Sequence, residues 1–173
     1  MQVIGGKYQR QSLQFPKNRL FRPTKSIVRE ALFNIIGYQI EGASFLDGCS
    51  GSGAIGLEAE SRGASSVVCV DKDTKYLKIN KGVLKANINI VRSDLIRYLK
   101  STSHSFDIIF LDPVWSQHNV YIQAFQQISG NASLLKSGGL FIIEHDHSFD
   151  PSNHISLKKQ YQYGNSLISF LKI

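Results

Sequence analysis

Residues 43–56, Ala-Ser-Phe-Leu-Asp-Gly-Cys-Ser-Gly-Ser-Gly-Ala-Ile-Gly, constrain this chain more than any other stretch. A short apolar run, Phe45-Leu46, ends in the carboxylate Asp47, and a helical pattern begins inside the glycine-rich turn that follows. That order predicts strand, tight loop, helix. Gly48, Gly51 and Gly53 can take positive φ and let a ligand approach the backbone. Gly51-x-Gly53-x-x-Gly56 fits the dinucleotide fingerprint, and Asp71 falls about twenty residues on, the offset of a ribose-binding acid. The fingerprint is weak alone, so the rest of the chain must decide which nucleotide-bearing cofactor it holds.

The pattern beyond the loop alternates. Helices are predicted over 54–62, 73–85, from 94 to 100 and over 120–128, between strands over 66–71, 88–92, 106–111 and 140–144. The run 66–71 is almost wholly apolar, which suits a parallel strand buried on both faces. Lys136-Ser137-Gly138-Gly139 reads as a turn. Segments 155–161 and 166–172, joined around Tyr163-Gly164-Asn165, read as an antiparallel hairpin. The class is therefore α/β, with a mostly parallel, Rossmann-like sheet finished by antiparallel strands. With 173 residues and no repeat or linker, one domain is expected over 1–173. It divides into an N-terminal basic extension and helix, 1–37, and a core, 43–173.

Charge is unevenly placed. Residues 1–30 carry seven of the 20 Lys and Arg but one of the 13 Asp and Glu, so most of the formal net charge of +7 lies there. A basic arm on a near-neutral body suggests a polyanionic partner such as nucleic acid. The first 21 residues read as one or two short strands. Arg22-Pro23-Thr24 opens a helix with Thr24 as N-cap. Ile27, Ala31, Leu32, Ile35 and Ile36 form its apolar stripe, and Gly37 ends it. Lys25 and Arg29 share another face, with Arg22 at the entrance. Arg10, Arg22, Thr24, Lys25 and Arg29 are the expected nucleic-acid-binding set. A lysine stripe, Lys75, Lys78, Lys81 and Lys85, reads first as a solvated helix face, with a second nucleic-acid surface as the alternative.

Other classes are disfavoured. No apolar run is long enough to span a bilayer, and the N-terminus lacks a secretory pattern. Two cysteines, Cys49 and Cys69, lie in different predicted elements and fit a reducing cytoplasm. Cys49 reads as a small residue filling the turn. His145-x-His147 lacks a third metal ligand.

In an open α/β sheet the ligand lies across the carboxyl ends of the strands. Four successive strands deliver Asp47, Asp71, Asp94 and Asp112 there. Asp71, with Lys72 beside it, suits ribose hydroxyls, and Asp94 suits an adenine amino group. Asp47 suits the glycine loop itself or a cationic amine. Asp112-Pro113-Val114-Trp115 is the discriminating piece. The Asp112 carboxylate and the Pro113 carbonyl can hold both N–H bonds of an exocyclic amine, freeing its lone pair for an electrophilic methyl. Trp115 offers a face for an unpaired base.

The sequence resembles the RsmD family, bacterial methyltransferases that use S-adenosylmethionine (SAM) to modify guanine N2 in small-subunit ribosomal RNA. The resemblance covers nearly the whole chain. It rests on Ile4-Gly5-Gly6-Lys7, Arg22-Pro23-Thr24, the run from Val28 to Asn34, Gly42-Ala43, Leu46-Asp47, the run from Gly51 to Ala59, Ser61-Arg62-Gly63-Ala64, Phe106-Asp107 and Asp112-Pro113. It implies the SAM-dependent methyltransferase fold, seven strands with the last antiparallel. It also implies SAM as cofactor and ribosomal RNA, or a partly assembled small subunit, as partner of a monomeric cytoplasmic enzyme. The family's usual Asp-Pro-Pro followed by Tyr or Phe is here Asp-Pro-Val-Trp, and Asp-Leu-Phe-Ala-Gly-Ser-Gly is here Asp-Gly-Cys-Ser-Gly-Ser-Gly. Three rivals stand beside this reading. They are an adenine-N6 methyltransferase, an NAD-dependent oxidoreductase, and a non-catalytic RNA-binding or assembly protein.

Overall fold

A computed structural model of the chain describes residues 1–16 and 25–173. The apolar runs assemble into one seven-stranded sheet. Its strands are β1 (Ser44–Gly48), β2 (Ser66–Asp71), β3 (Asn89–Arg92), β4 (Phe106–Leu111), β5 (Leu135–His145), β6 (Ser156–Tyr163) and β7 (Ser166–Lys172). They lie in the order β3-β2-β1-β4-β5-β7-β6. Strands β1 to β5 pair in parallel, and β7 runs antiparallel to both of its neighbours. The helices are α1 (Ser26–Ile36), α2 (Ala54–Ser61), α3 (Lys75–Leu84), α4 (Leu95–Ser101) and α5 (His118–Gly130).

Alternation along each strand divides the core between two faces, as a sheet covered on both sides requires. Phe45, Val67, Cys69, Ile108 and Phe110 pack with α1, α2 and α3. Leu46, Val68, Val70, Ile109 and Leu111 pack with α4 and α5.

Three local expectations meet a different arrangement. The turn expected over 136–139 is an irregularity inside β5. The register jumps there from Phe106 opposite Leu135 to Ile108 opposite Leu140, and the strand continues through it. Among the described residues the N-terminal strands reduce to one bridge, Gln2 with Ser12. The reason is where the backbone donors go. The Ile4 and Gly5 amides donate to the two carboxylate oxygens of Glu58 on α2, at 2.8 and 2.7 Å, and the Tyr8 amide donates to Ser61 Oγ at 2.9 Å. Gly6 makes this close approach possible: a Cβ there would lie 1.8 Å from the Ser61 carbonyl oxygen. Val3, Tyr8 and Leu13 are buried, so this part of the extension belongs to the core.

The third difference is the face of α1. Val28, Leu32, Phe33 and Ile36 are buried together with Arg29, while Ile27 is 61% exposed. Positions 28, 32 and 36 with 29 and 33 make the inward stripe, one residue round from the stripe expected. Arg29 is therefore not an RNA contact. It is 1% exposed, and its Nη2 donates to the Gln2 carbonyl at 2.8 Å. Arg22 and the N-cap expected at Thr24 lie outside the described residues.

Candidate functional site

The strand order places β1 between β2 and β4, and chain direction across the sheet reverses on either side of β1. Such a switch point opens a crevice at the carboxyl edge. The four carboxylates cross this edge in the order Asp94, Asp71, Asp47, Asp112, following β3, β2, β1 and β4. All four line one cavity of about 560 Å³, within the range of small-molecule sites.

The glycine loop is held from several sides. The Gly51 amide donates to Asp71 Oδ2 at 2.7 Å, and the Asp73 amide donates to Asp71 Oδ1 at 2.9 Å. The Gly53 amide donates to the Ser50 carbonyl at 2.7 Å. Gly53 has φ +80° at the start of α2, and a Cβ there would lie 2.2 Å from Leu77 Cδ1. Gly48 is packed against Leu111, and its carbonyl accepts the Asp112 amide at 3.3 Å. Gly51 lines the cavity, whereas Gly48 and Gly53 shape its wall from behind.

Electrostatics differ among the carboxylates. Asp47 is 2% exposed. Burial pushes its carboxyl up to about 7, against the Gly56 amide that donates to Oδ2 at 2.8 Å and with the Asp71 charge nearby. Asp94 caps α4, accepting from the Ile96 and Arg97 amides, and its other oxygen pairs with Lys72 Nζ at 2.8 Å. That Lys72 bond holds the Asp94 carboxyl below the usual range. Burial, with the surrounding acids, pushes the Cys49 thiol up, so the thiol stays neutral, in keeping with a turn-filling residue. Each carboxylate oxygen has two acceptor positions, so Asp71 and Asp94 keep capacity beyond their protein donors.

At the β4 end, Asp112 is half-buried, Pro113 buried, Val114 exposed and Trp115 half-buried. The Gln117 amide donates to the Val114 carbonyl at 2.8 Å, closing the turn that leads into α5. Asp112, Pro113 and Trp115 line the same cavity as Gly51, Asp71 and Asp94. The geometry thus joins a nucleoside-sized set of acceptors and loop amides to the turn expected to hold an amine. The acceptors and loop that line this cavity fit SAM: Asp71 and Asp94 would face its ribose and adenine, and the glycine loop with Asp47 its amino-acid end.

Among the lining residues that were not anticipated are Pro16, Tyr76, Glu144 and Ser166. Glu144 was within reach of sequence reasoning, because β5 also delivers an acid near its carboxyl end. Of the expected RNA contacts, Arg10 is exposed with φ +68° in the N-terminal turn. Lys25 is exposed and lines the cavity.

The family model described as Conserved hypothetical protein 95 matches residues 1–172. The chain belongs to this family, the RsmD family. Ribosomal RNA small subunit methyltransferase D of Buchnera aphidicola subsp. Baizongia pistaciae is 34% identical over 169 residues, covering 92% of this chain and 85% of that protein. The Escherichia coli protein of the same name is 37% identical over 117 residues, 65% of this chain and 59% of its own length. Among solved structures, a putative methyltransferase from Escherichia coli, yhhF, matches with TM-score 0.85 at 29% identity, over 99% of this chain and 96% of that one. A Thermus thermophilus 16S rRNA N2 methyltransferase, RsmC, in complex with AdoMet and guanosine, matches with TM-score 0.73 at 20% identity, over 90% of this chain and 44% of that one. The family match thus runs over nearly the whole chain.

Proposed function

We propose that this SAM-dependent ribosomal RNA methyltransferase acts on the exocyclic N2 of a guanine in small-subunit RNA. The observation that carries the reading is the convergence of Asp112, Pro113 and Trp115 on the cavity that also holds Gly51, Asp71 and Asp94. The names of the curated relatives support ribosomal RNA as substrate, and the guanosine complex of the RsmC neighbour supports guanine. When bound, SAM supplies an electrophilic methyl group. The Asp112 carboxylate and the Pro113 carbonyl accept the amine hydrogens and stabilise positive charge as it develops on nitrogen. Trp115 stacks the base, and Asp71, Lys72 and Asp94 belong to the cofactor end. An NAD-dependent oxidoreductase would leave the turn at 112–115 without a role. Arg10, Lys25 and the segment holding Arg22 and Thr24 are the proposed RNA contacts of a monomer working in the cytoplasm.

The test is methyl transfer from labelled SAM to small-subunit ribosomal RNA, free and as partly assembled subunits, followed by nucleoside analysis. Labelled N2-methylguanosine is expected. Labelled N6-methyladenosine would assign the adenine rival, and no label on any RNA would assign a binding or assembly role.

A further inference from the structure

The outer flank of the sheet carries charge that the cavity does not use. Residues 72–100, from the end of β2 through α3, β3 and α4, hold eight Lys and Arg against Asp73 and Asp94. Of these eight cations, only Lys72 is in an ion pair among the described residues. Lys75, Lys78 and Lys85 are exposed. Lys81 is turned to a structural task, donating to the Ile88 carbonyl at 2.7 Å. β3 is one of the two edge strands of the sheet. Between it and the end of α3 lies a shallow groove lined by Lys78, Lys81, Lys85, Asn89 and Ile90.

Two further observations tie this flank to the site. Lys72, Asp73 and Tyr76 line the cavity, so the lysines start at its rim and run down α3. The helical rise sets Lys78 and Lys85 roughly 10 Å apart along the axis. The same helix also anchors the N-terminal segment. Asn80, fully buried, accepts from the Gln14 amide at 2.7 Å and donates to the Gln14 carbonyl at 2.8 Å. Gln14 is thus pinned to α3.

We infer that the α3–β3 flank is a second RNA-binding surface, on which Lys75, Lys78 and Lys85 hold the sugar–phosphate backbone of the substrate RNA away from the methylated base. The inference rests on the ribosomal RNA reading above. Unpaired cations in a row beside an open groove complement a polyanion. Phosphate contacts position a nucleic acid without reading its sequence. The surface thus adds affinity and orientation and leaves base choice to the cavity.

The test replaces Lys75, Lys78 and Lys85 together by Ala in the full chain. Binding to small-subunit ribosomal RNA is titrated between about 50 and 200 mM salt, and S-adenosylhomocysteine calorimetry reports on the cavity. The slope of log affinity against log salt is expected to fall by roughly 2–3, at about 0.7–0.9 for each phosphate no longer neutralised. KM for RNA should rise while kcat at saturating RNA and S-adenosylhomocysteine affinity stay at wild type. The set Lys75→Arg, Lys78→Arg and Lys85→Arg should keep the wild-type slope. Unchanged RNA affinity and slope in the Ala set, with cofactor binding intact, would overturn the inference and leave α3 a solvated face. A weakening in the Arg set equal to that in the Ala set would also overturn it, by showing that packing and not charge is at work. Methyl transfer by the wild type judges the function separately. RNA binding that depends on the lysines in a protein that transfers no methyl would retire the activity and keep the surface.

Discussion

The Gly51 amide donates to Asp71 Oδ2 at 2.7 Å, so the acid closing β2 holds the loop that follows β1. Asp71 braces the loop, and in the proposed cofactor site it would also offer acceptor positions to a ribose. Asp71→Ala removes both and should weaken SAM binding by roughly 1.5–3 kcal/mol, the scale of hydrogen bonds to a charged group. Calorimetry reads this directly. Wild-type affinity in the variant would remove Asp71 from the cofactor site.

Asp112→Ala should abolish most methyl transfer while leaving SAM affinity near wild type, because its acceptor matters most as charge develops on the amine. A loss of roughly 2.7–4 kcal/mol of barrier lowering is expected, by analogy with deleting an oxyanion-hole donor. Single-turnover transfer from labelled SAM measures it, and a near-normal rate would move the chemistry elsewhere.

Trp115→Ala should cost roughly 1–3 kcal/mol of base stacking, seen as weaker RNA binding with SAM affinity retained. Val114→Pro should keep activity. Val114 is 65% exposed, and only its carbonyl is engaged, by the Gln117 amide, so a ring at this position displaces no bond. Activity lost in Val114→Pro would show that the turn needs the freedom Val supplies.

Asp47 predicts a pH dependence of stability. Its folded carboxyl titrates at about 7 against an ordinary 3.8. Between these values the folded state keeps a proton that the unfolded state has lost. Stability therefore falls as pH rises from about 4 to about 7 and then levels, by on the order of 4 kcal/mol at most. Asp47→Asn is neutral and keeps an acceptor for the Gly56 amide. Its melting temperature should match wild type near pH 4 and exceed it at pH 8. Parallel melting curves across this range would refute the buried neutral acid.

Arg29→Ala should unfold the protein more readily and leave the salt dependence of RNA binding unchanged. The side chain is buried and ties α1 to the Gln2 carbonyl, so truncation leaves a cavity of the kind that costs about 2–5 kcal/mol. Thermal melting and RNA titration on one sample separate the two roles.

The sheet was legible because strands buried on both faces are written as apolar runs; β2, β4 and β7 begin and end where those runs do. The four acids were legible because their position follows from strand direction alone. Arg29 was not: its charge looks like a surface contact until Gln2, twenty-seven residues earlier, is known to receive it. The N-terminal turn was not legible either. The partners of its amides, Glu58 and Ser61, lie more than fifty residues away, and local pattern carries no trace of them. Tyr76 hid within a lysine-rich helix whose N-terminal end forms the cavity rim.

Glu58 has a consequence for the order in which the chain folds during its own synthesis. The amides of Ile4 and Gly5 wait for a carboxylate made 54 and 53 residues later, and Gln14 waits for Asn80, 66 residues on. At roughly 5–20 residues per second, that delay is several seconds. Residues 4–14 thus dock only once α2 and α3 have been made, onto a sheet that has β1 and β2 but still lacks β3 to β7.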